Sequence, residues 1–228
     1  MRLTALLAVV PLAAAMSFPA TQVAQAATVP PECDPGPEMD LTGFNIIIGT
    51  DASETIVGTS GPDFICGKLG NDKIYGLGGD DAILGDDITF MGNPDAVGGA
   101  DQIDAGAGND TVLSGAGDDS VNGGSGEDFL ALAQGSDTGQ GGLGADTIIG
   151  GLSKDTVVGG PGNDMLFGGQ NDDLVNGGPG DDFLDGDLPG DPETGGVTPD
   201  PNPNTDRCIG AEGFDTAVLC EVTNATEG

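Results

Sequence analysis

Histidine and tryptophan are absent from this chain of 228 residues, tyrosine occurs once, and lysine and arginine together number only five. Without histidine there is no commonest general base, no usual transition-metal ligand and no Ser-His-Asp or Cys-His arrangement. Catalysis would have to run on carboxylates or lysine alone, and neither GxSxG nor a zinc-type HExxH occurs. The few basic side chains stand against 38 acidic ones, and the net charge of −33 makes nucleic acid and anionic membranes poor partners. Strong acidity with few aromatics is the composition of a disordered chain, because too little apolar surface can be buried to offset chain entropy. Order in the sequence overrules that reading, provided that something neutralises the carboxylates.

Long apolar runs are lacking too. The one near the start, Leu3 to Ala15, is broken by Thr4 and Pro11 and falls short of the roughly 20 apolar residues that a transmembrane helix needs. Arg2 ahead of it and Ala24-Gln25-Ala26 behind it give the layout of an export signal cleaved after Ala26. Residues 1–26 are therefore expected to be a signal peptide, and the protein to be secreted and extracellular, with no membrane insertion. Four cysteines in an exported chain imply two disulfides. Sequence proximity favours Cys208 with Cys220, which leaves Cys33 with Cys66.

What the chain does have is a period of nine: Asp101, Asp110, Asp119, Asp128, Asp137, Asp146, Asp155, Asp164, Asp173 and Asp182 follow one another at that spacing, as do Glu54, Asp63, Asp72 and Asp81. Two residues after each acid stands an aliphatic, from Ile56, Ile65, Ile74 and Ile83 to Val175 and Leu184, with Gly139 the single failure. Ahead of each acid the pattern is mostly glycine five, four and two residues back, as in Gly177-Gly178-Pro179-Gly180-Asp181-Asp182. Each unit reads GGxGxDxUx, with U a large aliphatic.

Glycine-rich hexapeptides make tight turns with accessible carbonyls. Calcium takes six to eight oxygens at roughly 2.3 to 2.6 Å, which carbonyls and a carboxylate supply. The residues after the turn suit a short strand whose aliphatic points inward, and stacking is obligatory because one repeat cannot bury it alone. Over roughly residues 49 to 187 the chain resembles the RTX family of hemolysin-type calcium-binding nonapeptides. The resemblance implies an all-β, right-handed parallel β-roll, a β-solenoid in which two nonapeptides make a turn and calcium ions lie between loops 18 residues apart on one edge. It implies Asp63, Asp72, Asp81, Asp101, Asp110, Asp119, Asp128, Asp146, Asp164, Asp173 and Asp182 as metal ligands.

That double period sorts the loops by edge. The edge of Asp110, Asp128, Asp146, Asp164 and Asp182 keeps glycine at minus four and minus two throughout. The other has Ala133 before Asp137, Ser153 and Lys154 before Asp155, and Asn171 before Asp173, so the first edge is expected to bind calcium more fully.

The domain plan that follows is a signal at 1–26, an N-terminal segment and cap at 27–48, the repeat roll at 49–187, a Pro/Gly/Asp-rich linker or excursion at 188–205, and a C-terminal repeat with a disulfide cap at 206–228. An insertion falls at about 85–99, where Asp81 and Asp101 stand 20 apart and Asp95-Ala96-Val97 restores the acid-x-aliphatic signature once. Leu41, Phe44, Ile46, Ile47 and Ile48 are expected to cover the first core layer, and Cys208 to occupy an aliphatic position in the last. The GxGxxG at Gly139 to Gly144 is a by-product of the glycine period, lacking the strand and helix that give it meaning. The expected function is that of a secreted, non-enzymatic protein that folds on binding multiple calcium ions. The alternative is an adhesin that uses the roll as scaffold.

Overall fold

The computed structural model describes residues 29–34, 39–86, 97–187, 207–210, 213, 216–218 and 222–223. The expected signal at 1–26, the excursion at 188–205 and the acids Asp206 and Asp215 lie outside the described residues.

Apart from one 3-10 turn, Pro31–Cys33, the regular structure among the described residues is all β. The acid-x-aliphatic-x segments become strands because one side chain in each finds a dry interior: in Thr55–Val57 and Lys73–Tyr75 only the central residue is buried. Successive strands alternate between two parallel nine-stranded sheets. Seven strands of the first sheet run from Asp63–Cys66 to Phe183–Asp187, and seven of the second from Thr55–Val57 to Leu174–Asn176. The result is a β-solenoid of about seven turns, with one strand added at the first end and three at the last. Parallel pairing needs no helical crossover here, because each glycine-rich loop delivers the chain to the opposite sheet.

Register follows the period. Ile65 pairs with Ile83, Leu130 with Ile148 and Leu166 with Leu184 in the first sheet, and Ile56 with Ile74 and Val157 with Val175 in the second. Their side chains form one buried cluster along the axis. Each is worth roughly 1.5–3 kcal/mol when buried, and only the neighbouring coil can bury it. Gly139 is the gap in that ladder, and Leu132, fully buried in the same cluster, fills it: a Cβ on Gly139 would lie 2.9 Å from Leu132 Cδ1.

The insertion lengthens one loop. The paired residues Asp72 and Asp101, and Asp81 and Asp110, are 29 residues apart where the regular coil has 18. Gly85 and Asp86 still donate to Leu113 and Ser114 carbonyls, and Gly99 already stacks on Gly70, so the chain leaves the ladder after Asp86 and rejoins it by Gly99. Of Asp95-Ala96-Val97, the first two residues lie outside the described residues. Val97 is 74% exposed, because the ladder resumes with Ile103 instead.

The ends hold a correction and an agreement. In the strand Asn45–Ile48 only Ile47 meets the interior; Leu41, Phe44, Ile46 and Ile48 pack with Cys33, Phe64, Cys66, Ala82 and Leu84 on the outer side of the first sheet. Strand alternation forces this, since Ile46 and Ile48 point opposite to Ile47. The disulfide Cys33–Cys66 staples the segment there, as expected. At the other end the frame returns with Val175 opposite Cys208 and Leu184 opposite Ala217. Cys208 is buried in the core cluster and disulfide-bonded, while its expected partner Cys220 lies outside the described residues.

Candidate metal sites along the two edges

Each repeat acid sits at the mouth of its strand, where the loop enters the sheet. Stacking the coils stacks these acids into two files. Asp63, Asp81, Asp110, Asp128, Asp146, Asp164 and Asp182 precede strands of the first sheet; Asp72, Asp101, Asp119, Asp137, Asp155 and Asp173 precede strands of the second. All of these aspartates are buried. A file of buried carboxylates needs an account.

Half of the account is a hydrogen-bond ladder. The Asp110 N–H donates to Asp128 Oδ1 at 2.8 Å, Asp128 N–H to Asp146 Oδ1 at 2.9 Å, and Asp146 N–H to Asp164 Oδ1 at 2.9 Å. The second file repeats this from Asp72 to Asp101, Asp119, Asp137, Asp155 and Asp173, at 2.8 Å each. One oxygen of every acid after Asp63 is thereby fixed by the coil before it.

The other oxygen is not. Oδ2 of Asp72, Asp81, Asp101, Asp110, Asp119, Asp128, Asp137, Asp146, Asp155 and Asp164 is buried with no hydrogen-bond partner. An orphaned carboxylate oxygen is costly out of water. Beside Asp72, Asp81, Asp128, Asp146, Asp155 and Asp164 lies room kept by the glycine five residues back, whereas Asp110, Asp119 and Asp137 have Ala105, Ser114 and Leu132 there: a Cβ would stand 2.3 Å from Asp146 Oδ2 if built on Gly141, and 2.2 Å from Asp164 Oδ2 if built on Gly159. A hard, oxygen-seeking divalent cation fits this donor set, one carboxylate oxygen set among loop carbonyls and the next coil's carboxylate. Among the described residues no three acidic or cysteine side chains converge on one point, so such a cation would draw most of its ligands from the backbone.

Electrostatics point the same way. Burial pushes Asp155 up to about 9, Asp101 and Asp137 to about 8, and Asp81, Asp110 and Asp128 to about 7. Asp119 and Asp164 reach about 6, and Asp72 and Asp146 are raised. In each, desolvation is the largest cause; the backbone N–H at the carboxylate opposes it, and neighbouring carboxylates add to it.

The eleven acids expected from the sequence all fall in the two files, but not all alike. Asp63 ends its file: its oxygens accept from the Asn45 amide, the Thr59 hydroxyl and the Thr59 N–H. Asp173 and Asp182 accept the Asp155 and Asp164 N–H groups. Asp137 and Asp155, left out of that set because of Ala133, Ser153 and Lys154, have the same carboxylate geometry as the rest. Their membership was readable from the period alone.

A further acid, Asp86, is buried at the root of the insertion. Its Oδ1 accepts from Gly99 N–H at 3.1 Å and its Oδ2 from Ala116 N–H at 2.9 Å. Lying outside the period of nine, it gave no signal in the sequence.

No curated protein matches the chain closely enough to count as a relative. The model of the RTX calcium-binding nonapeptide repeat matches in four copies, at residues 48–83, 95–130, 133–166 and 158–188, which together span more than half of the chain. With the double file of aspartates, the nine-residue turn-and-strand unit and this match, the chain belongs to the RTX calcium-binding nonapeptide repeat family.

Proposed function

We propose that the protein is exported, stays unfolded until it meets extracellular calcium, and then folds around rows of calcium ions without catalysing a reaction. The observation that carries this reading is the set of buried Oδ2 atoms with no hydrogen-bond partner. The ligands are the aspartates from Asp63 to Asp182 expected from the sequence, with Asp137 and Asp155 added, each ion lying between successive loops of one edge. Acid-base work is disfavoured because the file carboxylates after Asp63 form a regular series held alike at Oδ1.

Neighbouring coils bring like charges to about one strand spacing, roughly 4.8 Å. At an effective dielectric of about 20 such a pair repels by roughly 3–4 kcal/mol. A divalent cation between the carboxylates reverses the sign, so binding free energy becomes folding free energy. Extracellular modules bind at about 10⁻⁴ to 10⁻³ M, a range met outside the cell and not in the cytosol. Support for export comes from the Arg2 to Ala26 layout and the Cys33–Cys66 disulfide.

The test is circular dichroism of the protein without residues 1–26. In chelator the β signal should be missing; millimolar calcium should restore it cooperatively, and magnesium much less, because magnesium gives up its waters reluctantly. A full β spectrum in chelator contradicts the proposal.

A further inference from the structure

The two edges are built from the same repeat but not to the same standard. Among the described residues five non-glycine residues adopt positive φ: Lys68 (74°), Leu77 (77°), Ala133 (74°), Ser153 (82°) and Asn171 (81°). All five stand four or two residues ahead of a repeat acid, where the pattern asks for glycine. Leu77 belongs to the Asp81 edge. The other four belong to the edge of Asp72, Asp101, Asp119, Asp137, Asp155 and Asp173. The insertion opens a loop of that edge too, placing Asp86 where the glycine four back from the acid would be. On that edge only the loop before Asp119 keeps glycine at both positions without interruption, as Gly115 and Gly117.

The side chains matter because coils touch through these positions. A Cβ on Gly126 would lie 1.8 Å from the Gly108 carbonyl oxygen, and one on Gly144 1.6 Å from that of Gly126. Where a Cβ is present, the carbonyl of the coil before it must move. Ser153 is such a case, stacked after Gly135, and the backbone shows the displacement. Gly135 N–H reaches the Leu152 carbonyl at 3.4 Å, whereas one coil earlier Gly117 reaches Gln134 at 2.8 Å. On the Asp81 edge the equivalent bonds from Gly108, Gly126, Gly144 and Gly162 are 2.9, 2.8, 3.1 and 2.9 Å. Calcium accepts oxygens over only about 0.3 Å of distance. The widening at the longest of these bonds, between the Asp137 and Asp155 loops, is comparable with that tolerance, so the loop pair that carries Ser153 is the one least suited to hold an ion.

We propose that calcium loads the edges in order: the edge of Asp81, Asp110, Asp128, Asp146 and Asp164 fills first, and the edge of Asp72, Asp101, Asp119, Asp137 and Asp155 fills last. The inference rests on the calcium reading above and adds a hierarchy to it. Folding then has two calcium thresholds. The first row of ions closes the solenoid, and the second tightens the side that carries the insertion.

Two measurements test it. Crystals grown at limiting calcium should give anomalous peaks at full height along the Asp146 edge and vacancies between the Asp137 and Asp155 loops. Calorimetric titration should show two phases. The triple variant Ala133→Gly, Ser153→Gly, Asn171→Gly removes no carboxylate and should move the later phase to about fivefold lower calcium, leaving the earlier one in place. Full occupancy beside Asp155 with vacancies beside Asp146, or a triple variant with both phases unmoved, overturns the hierarchy while leaving calcium binding intact. Absence of calcium from both edges at about 10 mM, well above the affinity range of such modules, overturns the calcium reading and the hierarchy together.

Discussion

At the scale of single residues, the glycine that stands five back from most of the acids serves by its size. Gly141 and Gly159 do not have positive φ, so a side chain there meets no backbone penalty of its own; at Gly141 it meets the side chain of Asp146, Oδ2 nearest, and at Gly159 the carboxylate of Asp164 and the Gly177 carbonyl. Gly141→Ala should therefore raise the calcium midpoint of folding severalfold by crowding the oxygen left for the ion, an overpacking cost of about 1–3 kcal/mol. Gly61→Ala is the control, since a Cβ there has nothing within 4 Å. Calcium-titrated circular dichroism of the two variants separates them, and equal midpoints would remove Gly141 from the site. The sequence showed the glycine but not its reason, because space beside an oxygen is a three-dimensional fact. Asp137 and Asp155 were passed over for a related cause. Their loops were judged by glycine content, whereas the carboxylates are placed by the strand and by the N–H of the coil before.

At the scale of strands and loops, the acid-x-aliphatic spacing located the regular rungs, and strand alternation then decided which side chains face the axis. Gly139 looked like a broken rung. The strand Phe129–Gln134 repairs it by burying both Leu130 and Leu132, and the second of these reaches across to the missing side chain's place. Leu132→Ala should cost about 2–5 kcal/mol of calcium-loaded stability, as a large-to-small change in a packed interior does. Adding Gly139→Val to that variant should recover part of the loss, although Gly139→Val alone should destabilise; additive single effects in urea melts would show that the two positions do not share a space. Two features escaped the spacing altogether. The hydrophobic N-terminal segment had two faces to choose from, and only the disulfide with Cys66 and the pointing of Ile46 and Ile48 fix it to the outside of the first sheet. The insertion was located by the lost period, but its root depends on Asp86, whose carboxylate takes the Gly99 and Ala116 N–H groups into its own oxygens.

At the scale of the whole molecule, two files of buried acids make the fold a response to solution conditions, and the sign of that response follows from the shifts. In the folded, metal-free chain Asp101 and Asp137 sit at about 8, Asp155 at about 9, and Asp81, Asp110 and Asp128 at about 7, against an ordinary 3.8. A folded-state pKa raised above the unfolded one means that the folded chain binds more protons between those values, so stability rises as pH falls and is lost as pH rises. The window runs from about 4 up to about 9, and the largest change falls across neutrality. In chelator, lowering the pH from 8 to 5 should therefore bring back part of the β signal that calcium restores at pH 8, protons neutralising the files in place of the ion. In saturating calcium the signal should stay flat over the same range, because the ion holds the carboxylates deprotonated, and calcium added at pH 5 to protein folded by acid should release protons into weakly buffered solution. A metal-free protein that gains structure on moving from pH 5 to pH 8, or calcium binding with no proton release at pH 5, would show that the buried aspartates are neutralised by something other than the exchange of protons for metal.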